Sequence, residues 1–583
     1  MTVSSAPVPT PVTKPRDVQT LPIAANTLAV RSRSWNRLRF EIEYGRERGT
    51  TANSFLIEAE ATALIDPPGA SFTEIFLTAL GDRIDLSELD YIIVGHTNPN
   101  RLATLQALVE EAPRVTIVCS NPAALTIRAA FEETNLAPII QVIKGGDEHL
   151  DLGNGHDLTF IPAPNPRFPD CLCTYDAQTG VLYTDKYFGA HVCGDQLFDE
   201  GWMSLWEDRR YYYDCLMAPN AKQVATVLEK LAALNRVRLY APGHGSLVQF
   251  GLNELTQAYR TWSATQTTAD TMVALIYASA YGNTATIAQA IARGITKSGI
   301  AVESINAEIA TPAEIESALQ RCAGFVIGSP TLGGHAPTPI QTALGQILST
   351  ATNSKLAGVF GSFGWSGEAI DLLEGKLKDA GFNFGFDPIR VKFKPDDVTL
   401  KYCEESGTDF AQTLKKAKKV KAPRQPANDL EQAIGRIVGS LCIVTAKQGE
   451  VSSAMLASWV SQATFTPPGF TVSVAKDRAI ESLMYPGCNF VLNILAEGRH
   501  IPLMKHFLKP FAPGEDRFEG VNLETNDVGV PILKDALAYL DCRVESRMEC
   551  GDHWVVYAVV EGGDVLDGKG KTAVHHRKSG THY

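Results

Sequence analysis

Tyr277-Ala278-Ser279-Ala280-Tyr281-Gly282-Asn283-Thr284 sets hydroxyls and a glycine between the apolar run Met272 to Tyr277 and a stretch that places Ile287, Ala288, Ile291 and Ile295 on one helical face. A buried strand, a tight loop and a helix N-terminus point backbone N–H groups at one spot, which suits a phosphate. The loop has no Lys or Arg. That favours a permanently held cofactor phosphate over a nucleoside triphosphate, whose site wants a P-loop lysine. Two later loops follow the same logic. The apolar run Gly324 to Gly328 enters Ser329-Pro330-Thr331-Leu332-Gly333-Gly334, and Leu356 to Phe360 enters Gly361-Ser362-Phe363-Gly364-Trp365-Ser366-Gly367. In a doubly wound sheet such loops share one crevice at the carboxyl ends of the strands, where Trp365 offers a ring to a flat partner. Gly299 is placed to stop the first helix, and Thr311-Pro312-Ala313-Glu314 reads as a capping box with proline at the first helical position.

This loop set resembles the flavodoxin family, and the resemblance implies flavin mononucleotide. Ser279, Tyr281, Gly282, Asn283 and Thr284 match the phosphate loop. Pro330, Thr331, Leu332, Gly333 and Gly334, with Ser362, Phe363, Gly364, Trp365 and Gly367, match the loops flanking the isoalloxazine ring.

Upstream, short alternating stretches near Arg39 to Tyr44, Ser54 to Ile57 and Ala63 to Asp66 read as strands, followed by a helix from Ser71 to Leu80. The strand Tyr91 to Val94 then ends at Gly95-His96-Thr97-Asn98-Pro99-Asn100-Arg101. Further on come Arg167-Phe168-Pro169-Asp170, Asp185-Lys186-Tyr187-Phe188-Gly189-Ala190-His191 and Pro242-Gly243-His244-Gly245. This order, ahead of a flavodoxin-like stretch, resembles the flavodiiron proteins over essentially the whole chain. The resemblance implies a metallo-β-lactamase-like αββα sandwich holding two irons. At that site the sequence departs from the family. Where the family has His-x-Glu-x-Asp-His, this chain has His96, Asn98, Asn100 and Arg101; Arg167 stands at the next histidine, and Lys186 at the bridging aspartate unless a one-residue shift offers Asp185. The last histidine survives as His244. Arg101, Arg167 and Lys186 would repel a second set of cations at short range. The expectation is therefore that no di-iron centre assembles and that these cations pair with Asp170 or Asp185, or bind a chloride or phosphate. The alternative is that His149, His156 or His191 restores a metal site. No catalytic residue is assigned.

After the basic, proline-ended stretch Lys415 to Pro426, short apolar strands recur near Leu441 to Thr445, Phe470 to Ala475, Phe490 to Ile494, Leu540 to Val544 and Trp554 to Val560. The segment Ala457 to Pro468 resembles the flavin reductase split barrels, with Ser458, Trp459, Val460, Ser461 and Gln462 at the position that holds a second flavin, FMN or FAD. Asp552-His553-Trp554 and Val574 to Gly580 resemble the closing strands of that family. The implied donor is NAD(P)H, its nicotinamide stacking directly on the flavin, so no separate Gly-x-Gly-x-x-Gly site is needed.

The elements that must carry these loops fit a 583-residue chain of several domains. The fold class expected is multidomain α/β and β. Residues 1–34 form a flexible N-terminal segment, 35–264 the metallo-β-lactamase-like sandwich, 271–415 the flavodoxin-like doubly wound domain, 416–428 a linker and 429–583 the flavin-reductase-like split β-barrel. The net charge of −12 argues against a general nucleic-acid binder, no run of about twenty apolar residues suggests a membrane span, and eleven scattered cysteines suit reduced thiols in a cytoplasmic protein. The three-part order resembles the flavodiiron proteins of cyanobacteria and other oxygenic phototrophs, in a subgroup with substituted ligands. It implies an NAD(P)H:oxygen oxidoreductase in which electrons pass through the flavins toward reduction of O2 to water. In that family the di-iron centre is served by the FMN of the neighbouring subunit, so a substituted chain has a use beside a ligand-intact paralogue in a hetero-oligomer. Two other readings stand: a self-sufficient flavin-dependent oxidase releasing peroxide, and a regulatory or structural partner with a metal-free first domain.

Overall fold

The computed structural model describes residues 14–35, 48–132, 134–145, 148–420 and 428–577. The strand expected at Arg39 to Tyr44, the central part of the linker (421–427) and the closing residues Lys578, Ser579 and Gly580 lie outside the described residues. The chain divides between Thr268 and Ala269 into two units.

In the first unit, two sheets face each other. One has the order β1 (Asp17–Ala24), β2 (Thr27–Ser34), β3 (Thr50–Glu58), β4 (Thr62–Ile65), β5 (Tyr91–Val94), β6 (Thr116–Ser120), β7 (Ile139–Ile143). The other runs from β12 (Leu239–Pro242) through β11 (Val181–Asp185), β10 (Leu172–Asp176) and β9 (Asp157–Pro162) to β8 (His149–Asp151). Strand periodicity divides the core. Phe55 and Ile57 join Phe160, Leu172 and Tyr183 between the sheets, while Leu56, between them in sequence, packs outward with Phe76, Leu105 and Ile127 of the covering helices. The expectation of a flexible segment through residue 34 is corrected: β1 and β2 pair antiparallel, Ala29 enters the inner core and Val30 the outer one. The Ser, Thr and Pro content of this region hid a strand whose alternation is carried by small residues.

The second unit opens with a parallel sheet in the order β14 (Ala301–Asn306), β13 (Met272–Tyr277), β15 (Gly324–Pro330), β16 (Leu356–Phe363), β17 (Asn383–Phe384), with β18 (Ile389–Lys392) also on β16. Ala274, Ile276, Phe325 and Val359 pack on the helices Pro312–Arg321, Thr338–Thr350 and Glu368–Asp379. Helices Asn283–Lys297 and Asp397–Val420 also contact β13 or β16. Val273 and Leu275 are as buried as their neighbours, as a sheet covered on both faces requires. The Asp397 helix runs to Val420, so the first residues of the expected linker are helical.

Beyond Asn428 a seven-stranded antiparallel sheet has the order β21 (Val451–Ala457), β20 (Cys442–Gln448), β24 (Asn489–Ile494), β27 (Ala538–Cys550), β28 (His553–Val565), β23 (Pro468–Ala475), β22 (Val460–Phe465). Its two edge strands, β21 and β22, are consecutive in the chain and joined only by Ser458-Trp459. Two residues span on the order of 10 Å between the flanking Cα atoms, so the sheet must curl until its edges nearly meet, as in a split barrel. The short pairs β19 (Gly439–Ser440) with β29 (Val574–His575), and β25 (Leu523–Thr525) with β26 (Pro531–Leu533), flank it. Among the described residues no helix is long and apolar enough to cross a membrane.

Candidate functional sites

The three expected phosphate and ring loops converge. Thr284 Oγ1 lies 2.8 Å from Ser362 Oγ, and Thr331 N donates to Ser362 O at 2.9 Å, so the first and second loops are both fastened to the third. Gly282, at φ +80°, forms the cap of the Asn283 helix, and Gly333 and Gly334, at φ +56° and +81°, make the turn closed by Leu332 and His335. No atom stands within 4 Å of where a Cβ would be at any of these three glycines, so the backbone there faces open space. Ser279 Oγ accepts from Ala285 N at 3.1 Å, which fixes the loop onto the helix. Two rings on these loops are left uncovered, Tyr281 at 84 % and Trp365 at 93 % exposure. Pro330 and Phe363 end β15 and β16, and Gly367 caps the helix Glu368–Asp379. Thr284 is buried and spent on Ser362, so its role is bracing the loops. Sequence reasoning missed Glu308, whose Oε2 accepts from Ser279 N at 3.2 Å and so sits on a phosphate-loop amide.

In the curled sheet the three segments singled out from sequence also meet. The Trp459 ring lies 5.1 Å from that of His553, and the Arg577 guanidinium stands 4.8 Å over it. Ser458 is buried against Gly439, where a Cβ would come within 1.8 Å of Ser458 O, whereas Ser461 and Gln462 are exposed along edge strand β22 that Val460 begins. His553 Nδ1 pairs with Asp552 Oδ1 at 2.8 Å.

In the first unit, helix Pro99–Glu111 begins at Asn98, whose Oδ1 accepts from Arg101 N at 2.9 Å. Asn98 is thus a cap. Asn100 is exposed on the first turn and does not face the cluster; Arg167 is half-buried with its guanidinium 5.9 Å over the Phe168 ring. Arg101 enters instead. It donates to His96 O at 2.7 Å and to Asp185 Oδ1 at 3.1 Å, and reaches Asp66 Oδ1 at 3.4 Å. Lys186 Nζ is 3.5 Å from Asp185 Oδ1, and both side chains are fully buried. Asp66 and Asp185 close their strands in left-handed backbone, φ 55° and 42°, a conformation that the surrounding contacts must hold. Burial, reinforced by the charge of Asp185, pushes the Asp66 carboxyl up to about 7 against the pull of Arg101, the Gly95 amide and Lys186. Of the two partners expected for these cations, Asp170 or Asp185, it is Asp185 that Arg101 and Lys186 meet. Asp170 is held by His96 Nδ1 at 2.6 Å and by Thr97 N and Oγ1 at 2.7 and 2.6 Å. With Arg101 and Lys186 engaged by carboxylates, the anion reading loses two of its cations. His244 Nδ1 lies 2.6 Å from Thr51 O and its ring 4.5 Å from that of His191, whereas His156 pairs with Asp176 and His149 with Asp157. Among the described residues no group of three or more His, Cys, Asp or Glu side chains is arranged to hold a metal ion. Asp66, the partner that sequence reasoning overlooked, could have been flagged as an acid at a strand end.

Asp170 also sets an acid limit. Burial alone would raise its carboxyl, but the charge of His96 and hydrogen bonds from His96 and Thr97 outweigh it and hold it at about 2, below its ordinary 3.8. A depressed carboxylate contributes stability above its unfolded value, and that contribution is lost as pH falls through the folded one. About 2 kcal/mol should therefore disappear between roughly pH 4 and pH 2. Urea midpoints measured across this range should show wild type losing its advantage over Asp170→Asn as pH falls; a gap independent of pH would contradict this account.

Sequence profiles match three consecutive stretches: the ODP family beta lactamase over residues 50–245, Flavodoxin over 275–407 and the Flavin reductase like domain over 434–582. The chain is 67 % identical over 571 residues to putative diflavin flavoprotein A 6 of Nostoc sp. PCC 7120, covering 98 % of this chain and 100 % of the relative. It is 63 % identical to putative diflavin flavoprotein A 3 of Synechocystis sp. PCC 6803, covering 98 % and 96 %. Among solved structures, the metal-soaked Flv1 flavodiiron core from Synechocystis sp. PCC6803 matches at 62 % identity and a TM-score of 0.67, over 69 % of this chain and 99 % of that one.

Proposed function

This chain belongs to the three-domain flavodiiron family of diflavin flavoproteins, and from that premise we propose that it is a redox subunit passing electrons from NAD(P)H through two flavins toward O2, with reduction to water completed at the di-iron site of a ligand-intact paralogue. The observation that carries this reading is Arg101 standing between Asp66 and Asp185. These residues do not fit a di-iron centre: a guanidinium occupies the carboxylates that would offset the metal charge, and desolvated cations at such range repel strongly. The flavin sites, in contrast, fit their cofactors. Gly282, Gly333 and Gly334 leave room for close backbone approach, Tyr281 and Trp365 offer exposed faces for stacking, and Trp459, His553 and Arg577 gather beside the exposed Ser461 and Gln462. Bound flavin supplies the exchange between two-electron and one-electron transfer that side chains cannot perform. Neutral N–H and hydroxyl donors of Ser279 to Asn283 would hold its phosphate, and Tyr281 and Trp365 would face its rings. A reducing, cytoplasmic setting suits eleven free cysteines.

Iron and flavin content of the chain produced with ample iron tests the proposal. Flavin without stoichiometric iron is expected, together with oxygen consumption in a mixture with a ligand-intact paralogue that exceeds the sum of the two. About two irons per chain, or simple additivity, would overturn it. Peroxide formed in proportion to NAD(P)H consumed by the chain alone would favour the oxidase reading.

Glu308 should oppose flavin binding. Its carboxylate competes for the Ser279 amide and repels a phosphate dianion, so Glu308→Gln should tighten FMN binding by the apoprotein roughly fivefold at low salt, the gain shrinking as salt screens the charge. Flavin fluorescence quenching reads both. Unchanged affinity at low ionic strength would sink the idea.

A further inference from the structure

A second buried charge cluster lies within the second unit, between the helices of the parallel sheet and the curled sheet. Arg293, Lys297, Lys401 and Glu404 come from the helices Asn283–Lys297 and Asp397–Val420; Arg547 and Trp554 come from the curled sheet, Glu481 and Ser482 from the 3-10 turn Ala479–Leu483 beside it, and Tyr485 from just beyond that turn. Every one of these residues is at most 8 % exposed. Glu481 is the hub. Its Oε1 accepts from Arg547 Nη1 and Trp554 Nε1, both at 3.1 Å, and its Oε2 accepts from Arg293 Nη2 at 3.3 Å, across the junction. Arg293 Nη2 also donates to Tyr485 OH at 2.6 Å. Lys401 Nζ crosses likewise, donating to Ala479 O and Ser482 Oγ at 2.5 Å each. Lys297 pairs with Glu404 and donates to Arg478 O at 3.4 Å. A second tie stands beside the first: Glu405 Oε2 accepts from Arg517 Nη2 and Gly514 N, each at 3.1 Å.

Two domains joined only by a tether would leave such groups in water, because the desolvation of each ion has to be offset by a partner from the other side. We infer that the flavin-reductase-like barrel is a fixed partner of the flavodoxin-like sheet, clamped to it through Glu481, Arg293 and Lys401. The Asn283 helix serves both ends. Its first residue closes the phosphate loop, and Arg293, ten residues and about 15 Å further along, enters the clamp. The two flavin loops therefore stand at one separation on one body, so that transfer between them would need no domain swing. That consequence rests on the flavin reading above; the clamp does not, and its test needs no flavin.

The test places a specific protease site between Val420 and Asn428 of the full chain, cleaves it and runs the product on size-exclusion chromatography at micromolar concentration. The residues after the cut should co-elute with those before it. In Arg293→Glu, which sets a second carboxylate against Glu481, association should weaken on the order of a hundredfold or more and the two parts should separate. Circular dichroism and retained flavin absorbance of the uncleaved Arg293→Glu chain distinguish lost docking from lost folding. Separation of the wild-type parts would overturn the inference, and so would co-elution of a folded Arg293→Glu pair. Loss of bound flavin with co-elution intact would count against the flavin reading and leave the clamp standing.

Discussion

Arg101→Met should lower the melting transition of the first unit by about 10 °C, corresponding to a loss of roughly 3–5 kcal/mol. Arg101 is 6 % exposed and reaches two buried carboxylates, Asp66 and Asp185, as well as the carbonyl of His96. Methionine fills much of the same space, so the loss reports charge and hydrogen bonding more than volume. Only Lys186 then remains to offset the pair, at 3.5 Å from Asp185. Removing one member of a buried ion cluster leaves the others desolvated and unmatched, which costs more than the cluster ever contributed as a whole. The deficit should also depend on pH. Burial and the charge of Asp185 already raise the Asp66 carboxyl above its ordinary value, and without Arg101 it rises further. A raised folded pKa gives stability that is present below the unfolded value and lost as pH rises through the folded one, so the two proteins lose it in parallel up to about pH 7, where the wild-type value lies, and the variant should fall further behind only above that. Arg101→Lys keeps the charge but cannot span both acids, and should fall between the two. Calorimetry at several pH values reads all of this. A shift under about 2 °C in Arg101→Met would mean that the cluster is not what holds this pocket closed.

The other large effect is expected from Gly294→Val. Gly294 lies inside the helix Asn283–Lys297, where glycine costs up to about 1 kcal/mol relative to alanine, so its presence calls for a packing reason. A Cβ at this position would stand 1.9 Å from Glu404 O and 2.8 Å from Thr408 N, and the reciprocal Cβ at Gly407 would stand 2.2 Å from Ile291 O. The two helices thus touch backbone to backbone, and Thr408 Oγ1 donates to Gly294 O across the contact at 3.3 Å. Valine has no flexible neighbour to displace. It must push the helices apart, at about 3 kcal/mol or more. The displaced helix is the one that closes the phosphate loop, so flavin retention should fall at least tenfold along with stability. Gly345→Ala is the matched control. It lies in the exposed part of helix Thr338–Thr350 with open space at its Cβ, and should be neutral or stabilising by about 0.5–1 kcal/mol. Flavin absorbance after gel filtration and urea midpoints compare the two; equal retention would contradict the close-contact account.

The crevice where the three loops meet was legible because its parts are local. Each loop is a contiguous strand, turn and helix start, and the capping box at Thr311 to Glu314 forms as its spacing requires. A parallel sheet brings such loops to one edge whatever the details of its core. The first two strands were not legible, because Thr27 to Ser34 alternates between two cores with residues as small as Ala29 and Ser32 and offers no strong apolar period. The lysine run from Lys415 reads as the tail of a helix and then a linker, and only the structure sets the helix end at Val420, since a run of like charges suits a solvated helix end and a tether equally.

The buried charge cluster of the first unit was half legible. Residue types at His96, Asn98, Asn100, Arg101, Arg167 and Lys186 pointed to a gathering of charges, and Arg101 and Lys186 do meet Asp185 in buried space, while Asn98 is a helix cap and Asn100 an exposed residue. Which acid answers which base depends on directions that a helix start fixes, and one residue along a helix turns a side chain by about 100°. Glu481 and Arg293 lie still further from any sequence reading. They are 188 residues apart, each an ordinary charge on its own segment. By itself the sequence determined the kind of chemistry, through motifs short enough for local backbone geometry to complete. Only the tertiary structure decided which charges are buried and which partner each has, because burial makes pairing compulsory while the fold alone sets what lies within about 3 Å.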